Sequence, residues 1–160
     1  MRADLFQGEK ICLVGLEPEQ DAEIFSRWTQ NTEYNRLLNT EPAQPHSLAQ
    51  MRSRMERDGS DPHNFGFGIR PLSEDRLVGF VALEEIDWQA RSAYLAIGIG
   101  EPDYWGQGYG TDAVRVILRY AFDVLNLDRV NLDVFEYNQR AYRSYLKAGF
   151  VEEGRLRQYL

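Results

Sequence analysis

The stretch Trp105-Gly106-Gln107-Gly108-Tyr109-Gly110-Thr111 decides how this chain of 160 residues is read. Its three glycines alternate with other residues, and a helical pattern starts directly behind them. Ala113, Val114, Ile117, Leu118, Ala121, Phe122 and Leu125 recur at the 3.6-residue period of an amphipathic helix. Ahead of the glycines, Ser92 to Ile99 reads as a strand, which Glu101-Pro102-Asp103 stops. The cluster therefore joins a strand to a helix. At such a junction the first backbone N–H groups of the helix lack partners, and the helix dipole adds partial positive charge. Glycines let the backbone approach a phosphate with no Cβ between. Two readings fit: a diphosphate cradle, or a turn that only reverses the chain. A dinucleotide fingerprint fails because Thr111 stands where its last glycine belongs, and a Walker loop fails because no lysine follows.

Upstream of that junction, His63 to Arg70, Leu77 to Ile86 and Ser92 to Ile99 predict three strands with short links, an antiparallel meander. Lys10 to Val14 predicts an earlier strand, with Cys12 buried on it, and Pro18 suits the first turn of a helix carrying Ala22, Phe25 and Trp28. Asn31 to Pro45 has room for a short helix at most, and Ser47 is placed to cap another. Downstream, Arg129 to Phe135 predicts a strand, and Asn138 caps a helix ending near Lys147. Gly149 suits the left-handed residue after it, and Phe150 begins a last extended segment running to Leu160. The expected class is α+β, with one mixed, mostly antiparallel central sheet flanked by helices.

Composition narrows the function. A chain of this length is expected to be a single domain, residues 1–160. Its hydrophobic content of 43% and aromatic content of 12% exceed what a disordered chain carries. The formal net charge is −7, spread over both halves, so no basic arm or patch announces a nucleic-acid partner. No apolar run approaches the ~20 residues of a membrane span, and no apolar stretch follows the N-terminus as a leader would require. The expectation is a cytoplasmic protein with no membrane partner. Cys12 is the only cysteine, and the carboxylates lack ligand spacing, so no metal site is expected. A Ser-His-Asp mechanism finds no Gly-x-Ser-x-Gly elbow.

The segment from Tyr104 to Ala113 resembles the acyl-CoA loop of the GNAT superfamily of N-acetyltransferases. Asn138-Gln139-Arg140-Ala141-Tyr142-Arg143-Ser144-Tyr145-Leu146-Lys147-Ala148-Gly149-Phe150 is similar to that family's second signature, Asn-x-x-Ala-x-x-x-Tyr-x-x-x-Gly-Phe. The 27 residues between Gly110 and Asn138 hold one helix and one strand, as the family requires. With the opening strand and the Trp28-Thr29-Gln30-Asn31 helix end, the chain resembles the branch of ribosomal-protein N-terminal acetyltransferases. Many members carry Gln or Arg where this chain has Trp105. Members also run one strand beyond the equivalent of Gly154 to Leu160, so the expectation is a domain without that strand or a shortened sequence.

The resemblance implies acetyl-CoA as co-substrate and direct attack of a primary amine on its thioester. The acceptor would be a protein N-terminal amine or a small amine; a polyamine of the spermidine type and a non-catalytic CoA-binding module are the alternatives. It further implies a fourth strand that splays from the fifth, with pantetheine along its edge on the backbone of Ile97 and Ile99; Gly98 and Gly100 suit a bulge there. The diphosphate would rest on the amides of Gln107, Gly108, Tyr109, Gly110 and Thr111. Asn138 resembles the CoA-contacting asparagine, although capping its own helix explains it equally. Tyr145 resembles the general acid for the departing thiolate, against a packing role on a face shared with Ala141, Tyr142 and Leu146. Glu85 stands where polyamine-acetylating relatives carry a substrate-facing Glu, which implies a catalytic role in binding the amine or as base through water, against a merely solvated strand-end pair. Alternation would send Glu84 and Glu85 to opposite faces, so only one could face the cleft. His46 and His63 sit in no motif and read as surface or loop residues. An uncovered sheet edge and the habits of the family together favour a homodimer.

Overall fold

Five strands form one sheet in chain order: β1 (Ile11–Val14), β2 (Phe65–Pro71), β3 (Gly79–Asp87), β4 (Ser92–Ile99) and β5 (Arg129–Asn131). The structure is a computed structural model, and it describes residues 4–157. The first four strands pair antiparallel; β4 and β5 are parallel. A parallel pair requires a crossover, and helix α4 (Tyr109–Asp123) supplies it. The other helices are α1 (Pro18–Trp28), α2 (Thr32–Leu38), α3 (Leu48–Ser60) and α5 (Gln139–Ala148).

Local chemistry sets the helix ends. Ser47 closes a capping box with Gln50, and Asn31 accepts from the Tyr34 amide. Gly149 ends α5 at φ +106°. The main core lies between the sheet and α4: Leu13, Ile69, Val81, Leu83 and Leu95 meet Ala113, Val114, Ile117 and Ala121. A smaller cluster of Trp28, Tyr34 and Leu77 lies apart from it, with Ile24, Phe25 and Leu38 of α1 and α2 around it. Helices thus cover both faces. No described helix is long and apolar enough to cross a membrane.

Three expectations need correction. The last strand of the ladder stops at Asn131, not Phe135, because β4 leaves it after Tyr94 and an alternating sequence with no neighbour makes no ladder. Residues 150–157 form no strand; Val151 is 80% exposed and Leu156 73%, and among the described residues the Arg129–Glu153 ion pair ties the segment to β5. Residues 158–160 of that expected segment lie outside the described residues. The bulge is in β3, between Glu84 and Asp87, whereas the Gly98 end of β4 keeps regular register with β3. Gly98 and Gly100 serve close packing instead. A Cβ on Gly98 would come within 2.9 Å of Tyr34 Oη, and one on Gly100 within 2.0 Å of the Trp28 ring.

Candidate active site

The splay between β4 and β5 leaves backbone groups without a ladder. The Gly100 amide donates to the Val78 carbonyl at 2.9 Å, which makes Gly98, Ala96 and Tyr94 the β4 residues bonded to β3. Ile97 and Ile99 therefore turn their amides and carbonyls the other way, toward β5. That strand pairs only with Ser92 to Tyr94. The Ile99 carbonyl accepts from Trp105 Nε1 at 2.6 Å; the Ile99 amide and both groups of Ile97 stay free among the described residues. Indole capping of that carbonyl went unread in the sequence, where Trp105 registered only as a departure from a motif.

The same edge runs on into the glycine loop. Gly106 and Gly108 have φ of +69° and +89°, left-handed values that glycine adopts without strain. The first helical bond of α4 is Asp112 N–H to the Gly108 carbonyl at 3.0 Å. None of the amides from Gly106 to Thr111 has a hydrogen-bond partner among the described residues. Six consecutive free N–H groups at the positive end of a 15-residue helix form an anion cradle.

Long-range contacts hold this loop in place. The buried Asp112 carboxylate accepts from the amides of Glu9, Lys10 and Ile11 at 3.2, 2.8 and 3.1 Å. Gly8 permits this approach, since a Cβ there would lie 2.3 Å from Asp112 Oδ2. Lys10 Nζ donates to the Gln107 carbonyl at 2.8 Å. Neither contact carries a local sequence signal, because the partners lie about a hundred residues apart.

Helix α5 brings two further residues. Asn138 is buried; its Oδ1 accepts from the Ala141 amide at 3.2 Å and its Nδ2 donates to the Leu37 carbonyl at 3.4 Å. It caps α5 and ties it to α2. Thr111 and Ser144 share a hydroxyl hydrogen bond of 2.6 Å, fixing the start of α4 against α5. Tyr145 packs on the main core, edge-on to Phe150 at 5.9 Å between ring centroids. Burial pushes its phenol up to about 12, so it is protonated and able to donate across the neutral range. Its hydroxyl has no hydrogen-bond partner among the described residues and is not sealed from solvent. Tyr142, one turn away, donates to Glu152 at 2.6 Å on the exposed side.

Glu84 and Glu85 differ more than alternation implied. Glu85 is the extra residue of the bulge, exposed and at φ +50°. Glu84 is half-buried opposite Tyr94, on the face shared with Ala96 and Gly98. Burial raises its carboxyl above the usual range; Asp58 and Glu85 add to this and Arg54 opposes it. His46 lies in the loop before α3, and the exposed His63 meets the Ile86 carbonyl at 2.7 Å. No group of three or more metal-binding side chains occurs among the described residues.

A family model described as an acetyltransferase (GNAT) domain matches residues 10–151. The chain is 28% identical over 145 residues to the uncharacterized N-acetyltransferase YoaA of Bacillus subtilis, with 89% of this chain and 80% of the relative covered. It is 38% identical over 84 residues to a spermidine N(1)-acetyltransferase of Vibrio cholerae, covering 52% of this chain and 48% of that one. A solved structure of spermidine N-acetyltransferase from Vibrio cholerae in complex with CoA and spermine superposes with a TM-score of 0.80 at 29% identity, covering 91% and 83% of the two chains. A dodecameric structure of that enzyme in an intermediate state superposes with a TM-score of 0.73 at 28% identity, covering 91% and 82%.

Proposed function

The chain belongs to the acetyltransferase (GNAT) family and is an N-acetyltransferase; on that premise we propose that residues 1–160 act as one domain moving an acetyl group from acetyl-CoA to a primary amine by direct attack. The observation that carries this is the continuity of two unpaired backbone surfaces, the β4 edge at Ile97 and Ile99 and the amide row from Gly106 to Thr111. Together they suit a long ligand with amides along one part and a diphosphate at the other. The left-handed Gly108 marks the cradle, since an L side chain there would meet Lys10 Nζ at 3.6 Å in a strained backbone.

Acetyl-CoA supplies the activated acyl carbon and a thiolate leaving group. The amides of Gln107, Gly108, Tyr109, Gly110 and Thr111 hold its diphosphate. Ile97 and the Ile99 amide hold pantetheine as a strand would be held, and Asn138 adds a contact from the free hydrogen of its Nδ2. Tyr145 keeps its proton until sulfur needs it and donates it as the C–S bond breaks. Glu84, on the face shared with Ala96 and Gly98, and the exposed Glu85 of the adjoining bulge attract the acceptor ammonium and receive its proton directly or through water. No metal takes part in this scheme.

The acceptor is a protein N-terminal amine, as in the ribosomal-protein branch, or a small amine. A polyamine is the second reading, favoured by the spermidine acetyltransferases among the similar proteins and by the acidic Glu85 and Asp58 that both act on Glu84. By the same likeness to a dodecameric enzyme, copies of this chain associate. Release of free CoA from acetyl-CoA, measured with peptides, polyamines and aminoglycosides, tests the scheme. Turnover with peptides supports the first reading, and turnover confined to polyamines the second. CoA binding without turnover on any amine leaves only a non-catalytic binding module.

A further inference from the structure

Next to the amide row lies a pocket of about 180 Å³ that the diphosphate does not account for. Three cations line it: Lys10 from the entry to β1, Arg115 from the second turn of α4, and Lys147 from the end of α5. Three separate elements thus point positive charge at one place. Lys10 Nζ is anchored on the Gln107 carbonyl and stands 5.6 Å from the Tyr109 ring centroid. Arg115 Nη2 donates to the Lys147 carbonyl at 3.3 Å, which couples the two helices. None of the three has a side-chain nitrogen within 4.0 Å of a carboxylate among the described residues, whereas Arg27, Arg36, Arg52, Arg54, Arg57, Arg70, Arg76, Arg91, Arg129 and Arg155 all do. In a chain of net charge −7, such a convergence calls for an anion.

Two carboxylates share the pocket wall, Asp112 and Glu9. Asp112 is already committed to the three backbone amides of the β1 entry. Glu9 is exposed, so solvent screens it. Gly108 and Thr111 form the boundary between this pocket and the amide row. Arg115 follows Thr111 by four residues, ~6 Å along the helix, so an anion bound here sits one short step from a diphosphate on the amides.

We infer that Lys10, Arg115 and Lys147 form a binding site for a terminal phosphomonoester, the 3′-phosphate on the ribose of CoA, and that they make the enzyme select CoA over 3′-dephospho-CoA. The inference rests on the acetyl-CoA reading above. The chemistry divides sensibly: a diphosphate bridge carries one charge per phosphorus and is met by partial charges on amides, whereas a monoester approaches two charges at neutral pH and is met by full cations. All three side chains are exposed, so replacing them does not disturb the core.

Calorimetric titration of the full chain with CoA and with 3′-dephospho-CoA tests this. The expected wild-type result is a preference for CoA of ~10-fold or more, the scale of one charge-assisted contact. In Arg115→Gln/Lys147→Gln the preference collapses while 3′-dephospho-CoA affinity is unchanged, and Lys10→Gln weakens CoA in the same sense. A circular-dichroism melt confirms that the variants fold. Equal wild-type affinity for the two ligands overturns the inference and leaves the acetyl-CoA reading intact. A double variant that loses both ligands alike also overturns it, because the cations then serve the diphosphate. If wild type binds neither ligand, the acetyl-CoA reading itself falls.

Discussion

Tyr145 shows how one side chain can carry two separable effects. As a buried phenol it favours its neutral form, with its ionisation moved from 10.0 to about 12. In its proposed role as proton donor it needs that same neutral form, so packing and the proposed chemistry pull in one direction. Tyr145→Phe should keep CoA affinity and lower kcat ~10²-fold, the usual size of a general-acid contribution; equal turnover in the variant would remove the phenol from the mechanism. The pH dependence has a definite sign. Because the folded state holds the proton more tightly than the unfolded state, the stability linked to Tyr145 is complete below pH 10 and is lost as pH rises through about 12. Melting curves between pH 9 and 12 should therefore fall less steeply for Tyr145→Phe than for wild type, and identical slopes would contradict the burial. Sequence alone marked this residue through its motif, but it could not distinguish packing from donation. The structure supplies a hydroxyl that is unpartnered yet reachable, on a ring that is otherwise enclosed.

Whole elements were legible wherever their signals were local. Caps at Ser47 and Asn138, the stop at Gly149 and the span of β4 all follow from neighbouring residues. What could not be read depends on partners distant in the chain. Alternation placed Glu84 and Glu85 on opposite faces, yet a bulge removes Glu85 from the count, and that bulge exists because β3 must accommodate one more residue than β4. The short β5 has the same cause, since its ladder ends where β4 departs. Asp112 is the plainest case: it reads as an ordinary acidic residue in a helical first turn, and it holds the β1 entry from 101 to 103 residues away. Asp112→Ala strands three backbone donors and should cost about 3 kcal/mol, a drop in Tm of roughly 6–12 °C at this chain length. Asp112→Asn retains an acceptor and should lose about half as much. If both variants melt with wild type, the β1–α4 tie is not a structural support. Gly100→Ala probes the opposite face, where the new methyl meets the Trp28 ring. Overpacking of about 1–3 kcal/mol is expected there, with CoA binding unchanged in the fraction that folds.

At the scale of the whole molecule, the charge pattern is divided by the sheet's function. Cations gather without carboxylate partners among the described residues beside the glycine loop, at Lys10, Arg115 and Lys147, whereas Asp58 and Glu85 both act on Glu84 at the far end of β3, opposed by Arg54. The net charge of −7 conceals this, because a sum has no position. Composition could exclude a nucleic-acid arm, but it could not show which end of a cleft draws which reactant. Under the proposed reading the two ends have opposite electrostatic roles: a polyanionic donor is drawn to one and a cationic acceptor to the other. Long-range steering of both is screened once the Debye length falls to about 3 Å near 1 M salt. The acceptor end then has its own signature. With spermidine as acceptor, raising ionic strength should raise KM severalfold with little change in kcat, because steering concerns encounter and not chemistry. Glu84→Gln should reproduce that rise in KM by ~10-fold at low salt, leave the Kd for CoA unchanged, and flatten the remaining salt dependence, since the half-buried carboxylate is the charge being screened. Steady-state kinetics on free-CoA release, run for wild type and variant across the same salt series, measures all three quantities. A variant whose KM still climbs with salt as steeply as wild type would place the acceptor's attraction elsewhere on the surface, and a KM indifferent to both salt and substitution would remove the polycation from the reading.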